Sequence, residues 1–337
     1  MGTLRRKVSA ILVLSLAALV AISPMAKAAG SLEPNAPPGP VMKSLDEVEP
    51  RIPIHASDLP MTITKPGSYY LTEDVNFTDT THTPITIECN NVTIDLMGYM
   101  LKGQDTGPQF GIFWNYRTDI TVRNGTVRDF SWAGVYGMNQ GRGHQAINVR
   151  AISNYYGMVI SGWGNVIKDC TAVENNNIGI VTFGACTITG NNASYNGGTG
   201  ISTLGYCTIT GNVSFFNGGS GIYITNACIV SGNTASYNTL DGIQAVNVSN
   251  TITGNNCYYN GNNGDGAGIH ATNTGNRIEE NHVTNNDRGI DVDAANNLII
   301  KNSAAGNTVE YDVVAGNKFA AVSTDPNTAG PWANFDF

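Results

Sequence analysis

A Gly-Ile pair recurs along the second half of this chain at an almost constant interval, and no other feature restricts the fold as much. Its second members are Ile180, Ile201, Ile222, Ile243, Ile269 and Ile290, at steps of 21, 21, 21, 26 and 21 residues. Two asparagine series keep the same period: Asn191, Asn212, Asn233, Asn255, Asn281 and Asn302, and then Asn196, Asn217, Asn238, Asn260, Asn286 and Asn307. A fixed short period is the mark of a solenoid and outranks local propensity. Each repeat holds three short β-type runs, such as Ile201-Ser-Thr-Leu, Cys207-Thr-Ile-Thr and Val213-Ser-Phe-Phe, separated by Gly and Asn. Both residues tolerate the positive φ of a corner. Three strands and three bends in 21 residues make one turn of a parallel β-helix, with coils stacked at about 4.8 Å. The scarcity of Leu excludes a leucine-rich repeat, and the Gly and β-branched content excludes a helical one.

The register predicts ladders. Equivalent asparagines lie above one another and can hydrogen-bond from coil to coil. Asn212, at the tight bend, is expected to be drier and costlier to lose than Asn217, which opens a glycine-rich loop. Tyr195, Phe216, Tyr237 and Tyr259 stack likewise, as do Cys186, Cys207 and Cys228. The three cysteines precede inward residues and read as a reduced, buried stack; the alternative is a disulfide, which the coil spacing tolerates, although three thiols cannot all pair among themselves. The Gly-Ile register extends upstream through Gly111-Ile112, Gly134-Val135 and Gly157-Met158, with added loops. One of these is glycine-rich and carries His144, for which the sequence shows no partner.

Four segments are expected: residues 1–28 as a secretory signal, 29–62 as a Pro-rich linker or cap, 63–310 as the β-helix, and 311–337 as a C-terminal cap. The signal has Arg5, Arg6 and Lys7, a 13-residue apolar run from Ala10 to Ile22, and Ala26-Lys27-Ala28 for cleavage. That run is too short to span a bilayer, so a secreted or periplasmic, monomeric protein is expected. Removing the signal lowers 18 basic residues to 14 against 26 acidic ones, a net charge of −12. Such a balance excludes nucleic acid and anionic membrane surfaces as partners.

The coil length, the Gly-Ile strand and the Asn at the bend after the second strand resemble the right-handed parallel β-helix superfamily. Its members include pectate lyases, polygalacturonases, mannuronan epimerases and the periplasmic accessory protein of nitrous oxide reductase. The resemblance covers roughly residues 63–310. It implies a right-handed solenoid of about ten coils with a substrate cleft along the outer face of the first strand. It carries over a location only, because the catalytic motifs of those enzymes are not recognisable here.

Alternation names that outer face. With the Ile of each pair inward, the outward row is Phe113, Tyr136, Val159, Val181, Ser202, Tyr223, Gln244, His270 and Asp291. A second row ends in Thr225, Val246, Thr272 and Asp293, and the preceding loops add Trp132, Asp241, Asp265, Asp287 and Arg288. Phe113, Tyr136 and Tyr223, with Trp132, Trp163 and Gln244 beside them, offer a platform for sugar faces. Alternatively, the rings pack beneath loops. His270, Asp291 and Asp293 are candidates for proton transfer, and Asp265, Asp291 and Asp293 for Ca²⁺, which takes oxygen ligands. The competing reading is a solvated acidic rim. A secreted protein that binds or processes a polysaccharide is thus expected, as a lyase or hydrolase if it is an enzyme. The alternative is a non-catalytic structural or adhesive solenoid.

Overall fold

The structure is a computed structural model that describes residues 50–337 except 108, 262, 263 and 265. The expected signal, most of the Pro-rich segment and Asp265 lie outside the described residues.

Every coil contributes one strand to a parallel twelve-stranded sheet that starts at Met61–Ile63 and ends at Val309–Val313. Twelve coils replace the ten expected. The two extra strands, Met61–Ile63 and Val309–Val313, straddle the boundaries expected for the two caps, where the Gly-Ile signature is missing but the backbone still pairs in register. Pairing reaches back further still, to Ile52–Ile54 against Gly67–Leu71. The second and third strands of successive coils form the other, 24-stranded surface. In one coil these are Thr208–Thr210 and Val213–Phe215.

The Gly-Ile signature has a steric cause. Ile180, Ile201, Ile222, Ile243, Ile269 and Ile290 are all fully buried and stack as one apolar column. The glycine before each lies where the chain crowds the next coil. A Cβ on Gly242 would sit 2.6 Å from the Gly268 carbonyl oxygen and 2.8 Å from Asn260 Nδ2. No side chain fits there, so the repeat must spend a glycine at that place in every turn.

Both asparagine ladders are continuous. In each rung the backbone N–H and Nδ2 of one Asn donate to Oδ1 of the next; from Asn212 to Asn233 the distances are 2.9 and 3.0 Å. The rungs of the other ladder match, at 3.2 and 2.9 Å from Asn217 to Asn238. Asn212 and Asn217 are equally buried. The expected contrast between a dry bend and a wet one is therefore incorrect, because Asn217 also donates to the Ala193 carbonyl and Ser214 Oγ. The two bends differ elsewhere. Gly190, Gly211, Gly232 and Gly254 supply positive φ before one ladder, whereas Tyr195, Phe216, Tyr237 and Tyr259 adopt it before the other. That conformation is uncommon for bulky residues. Here it turns the rings outward into a stack with centroids 5.4, 5.1 and 5.1 Å apart.

A third ladder, absent from the sequence reading, runs through the bend after the first strand: Asn250, Asn276, Asn297 and Asn317. Each ladder ends on a different residue. Asn302 donates to Asn334, which the C-terminal strand Asn334–Asp336 lays over the last coil. Asn307 donates to the Glu310 carboxylate, and the third ladder stops at Asn317. Of the tail rings, Trp332 and Phe337 remain exposed. His144, taken as unpartnered in a loop, is fully buried at the bend after a first strand. There it lies 3.3 Å from Trp114 Nε1 and 3.3 Å from the Ile120 nitrogen. Burial pulls its pKa down to about 4, so it is a neutral core residue.

Candidate functional site

The twelve-stranded sheet presents its outward row in the expected register. Phe113 pairs with Tyr136, Tyr136 with Val159, and the column continues without a break to Gln244, His270, Asp291 and Asp312. Its chemistry changes along its length.

At the N-terminal end the outward side chains cover one another. Phe110 stacks on Tyr136 and Phe113, with centroids 4.4 and 4.9 Å apart. Trp132 stacks on Tyr155 at 5.2 Å and meets Tyr156 edge-on at 5.4 Å. Val159 and Val181 are buried, although they lie outside the helical core, in a separate apolar cluster with Ala133. Beside them opens a trough of about 290 Å³, lined by Trp132, Tyr136, Tyr156, Ile178, Phe183 and Leu204 among others. Of the expected platform, only Trp132 and Tyr136 meet in this trough. Phe113 faces two neighbouring clefts, Trp163 stands exposed near Tyr206 at 6.3 Å, and Tyr223 and Gln244 follow further along the row. Phe183 and Leu204 could have been found by running the second outward row backward from Thr225.

At the C-terminal end the row becomes ionic. His270 Nδ1 lies 3.3 Å from Asp241 Oδ2, and its Nε2 lies 3.0 Å from Asp293 and 3.9 Å from Asp291. Asp241 is 4 % exposed and also accepts the Ala267 N–H at 2.8 Å. Arg288 bridges Asp291 and Asp312 at 3.4 and 3.3 Å. Asp241 was visible on a loop but not linked to His270. The register places Asp241 one coil before Ala267, three residues from His270. Burial opposes the charge on His270, yet the hydrogen bonds and fields of Asp241, Asp293 and Asp291 outweigh it and raise its pKa to about 9. Burial likewise pushes the Asp291 carboxyl up, against the pull of His270.

Two ring nitrogens facing carboxylates call for an imidazolium, which donates from both. That bears on the Ca²⁺ expectation. His270, Asp291 and Asp293 bring ligand atoms within 4.8 Å of one another. But Ca²⁺ seeks six to eight oxygens, and here a protonated imidazole and a guanidinium already occupy the carboxylates. The described donor set does not fit a resident Ca²⁺.

Among the described residues no helix is long and apolar enough to cross a membrane. No curated protein matches the chain. Among solved structures it is similar to the A-module of the mannuronan C-5 epimerase AlgE4 from Azotobacter vinelandii. They share 16% identity with a TM-score of 0.66, covering 79% of this chain and 88% of that one. The A-module of AlgE6 from the same organism gives 15% identity and a TM-score of 0.57, covering 81% and 90%. The Dettilon tailspike protein gives 15% and 0.54, covering 85% of this chain and 60% of that one. At such identities the likeness is one of fold. A family described as "Right handed beta helix region" matches residues 110–255 and 183–309, more than half of the sequence, and the chain belongs to that family.

Proposed function

We propose that this is an exported protein that binds a polysaccharide along the outer face of the twelve-stranded sheet and transfers a proton at His270. The observation that carries the reading is the orientation of His270. A buried carboxylate holds Nδ1, while Nε2 points toward the exposed Asp293, on the same face as a ring-lined trough. With a pKa of about 9, His270 is a proton donor at neutral pH and so acts as a general acid. Trp132 and Tyr136 supply apolar faces of the kind that meet sugar rings. Two structures of similar fold are named as epimerases of mannuronan, which supports a glycan partner. The surplus of carboxylates at the cluster and the net charge of −12 favour a neutral polymer over a polyuronate.

The stacking of Phe110, Phe113 and Tyr136 on one another favours a second reading, a structural or adhesive solenoid whose rings serve packing. A panel of neutral and acidic polysaccharides, with and without Ca²⁺, separates the two. Binding or turnover should be lost in the His270→Ala, Asp291→Asn double variant at temperatures well below its Tm, which the broken His270–Asp241 pair lowers. A wild-type chain that retains no glycan, or a double variant that binds as well as wild type, would leave the structural reading standing.

A further inference from the structure

The bend after the first strand is a column in register that holds Asn165, Cys186, Cys207 and Cys228 before the ladder that starts at Asn250. Three thiols thus occupy places where an asparagine ladder would otherwise run. The gap has a visible effect. Asn165 Nδ2 is buried with no hydrogen-bond partner, because the next rung offers sulfur where its Oδ1 acceptor would be. On the far side, Cys228 N–H donates to Asn250 Oδ1 at 2.9 Å and the ladder resumes. Between them Cys186 Sγ makes the closest sulfur approach, 2.7 Å from Cys207 Sγ, while Cys228 Sγ also hydrogen-bonds with Cys207 and lies 3.5 Å from the Asn226 carbonyl and 3.7 Å from Thr203 Oγ1. Adjacent coils separate Cα atoms by about 4.8 Å, within the range of roughly 4.4–6.8 Å that a disulfide accepts.

We propose that Cys186 and Cys207 are a disulfide-forming pair that supplies a covalent rung where the amide ladder is interrupted, leaving Cys228 as a thiol. The inference does not rest on the glycan reading. The oxidant is a disulfide such as oxidised glutathione. Cys186, the easier of the two to ionise because Cys207 hydrogen-bonds to it, attacks one sulfur and expels a glutathione thiolate. The Cys207 thiolate then attacks the Cys186 sulfur of the mixed disulfide and releases the second glutathione. Two S–H bonds become one S–S bond, and the two electrons and two protons leave in two glutathione thiols. Cys186, Cys207 and Cys228 are buried, so exchange proceeds as the coils form or open locally.

The test uses the full chain equilibrated with oxidised glutathione, denatured, alkylated with N-ethylmaleimide and digested with chymotrypsin. No lysine or arginine separates Cys186 from Cys228, whereas Tyr195 and Tyr206 divide the first pair and Phe216 and Tyr223 the second. A linked peptide pair joining Cys186 to Cys207, two hydrogens lighter than its thiols, is expected with Cys228 alkylated. The link should persist in Cys228→Ser and vanish in Cys207→Ser, and oxidation should raise Tm by roughly 5 °C. Alkylation of all three cysteines after oxidation, or a link from Cys207 to Cys228 in wild type, overturns the proposal. Wild-type mapping decides even if a variant fails to fold.

Discussion

The two ends of the outward row share one backbone register and keep water away by opposite means. From Phe110 to Leu204, apolar side chains cover each other until Val159 and Val181 are buried. From Asp241 to Asp312, charges pair across coils until Asp241 and Asp291 are buried to the same degree. Periodicity decides which side of a sheet a residue faces. It does not decide whether that side is wet, which depends on what neighbouring coils offer.

The comparison can be broken most directly at its ionic end. Asp241→Ala leaves the half-buried imidazolium without its Nδ1 partner and the buried Ala267 N–H without an acceptor, and should cost about 2 kcal/mol or more. Asp293→Ala, at an exposed carboxylate, should cost under about 1 kcal/mol. Denaturant midpoints that moved equally would show the cluster to be solvated throughout. At the apolar end, Val181→Ala removes two methyl equivalents of buried surface, worth about 1.5 kcal/mol. That loss should be the same at low and high salt, unlike the ionic variants.

A pH titration sharpens the contrast. The folded pKa of His270, about 9, lies above its ordinary value of 6.5. The stabilisation is therefore complete below pH 6.5 and is lost as pH rises through 9. His270→Gln should flatten that loss and Val181→Ala should leave it intact; a slope unchanged in His270→Gln would assign the titration to another group. The smallest expected difference lies beneath both ends. Asn212→Ala and Asn217→Ala should each be costly, yet agree within about 0.5 kcal/mol, since each leaves buried amide partners unpaired. A clear gap between their midpoints would restore a distinction that burial does not show.

Much of this was legible because the repeat is strict. Ile243 and Ile269 fix the register, so the stacking of Gln244, His270 and Asp291 followed from counting. The Gly-Ile pair was readable as a marker, but its cause, the crowding of Gly242 against the Gly268 carbonyl, needed coordinates. The terminal coils escaped because Met61–Ile63 and Val309–Val313 pair in register without the signature. Asp241 escaped as the partner of His270 because it lies on the loop before a first strand, one coil away and outside the alternation that names the outward row. Rings were expected on the row, but not which of them would meet in the trough. That Phe113 would turn away from it while Phe183 and Leu204 turned in depends on stacking across three columns.

The ladders end on Asn334, Glu310 and Asn317, two amides and a carboxylate that do one job. In that respect the solenoid behaves like a polymer with end groups. Each rung needs only the rung before it, so propagation has no intrinsic stop, and length is set where termination is supplied. Copies of the 21-residue unit could then be gained or lost in the middle of the chain while the terminators stay as they are. The distance between the apolar trough and the ionic cluster would change in steps of one coil, a ruler adjustable without redesigning either end.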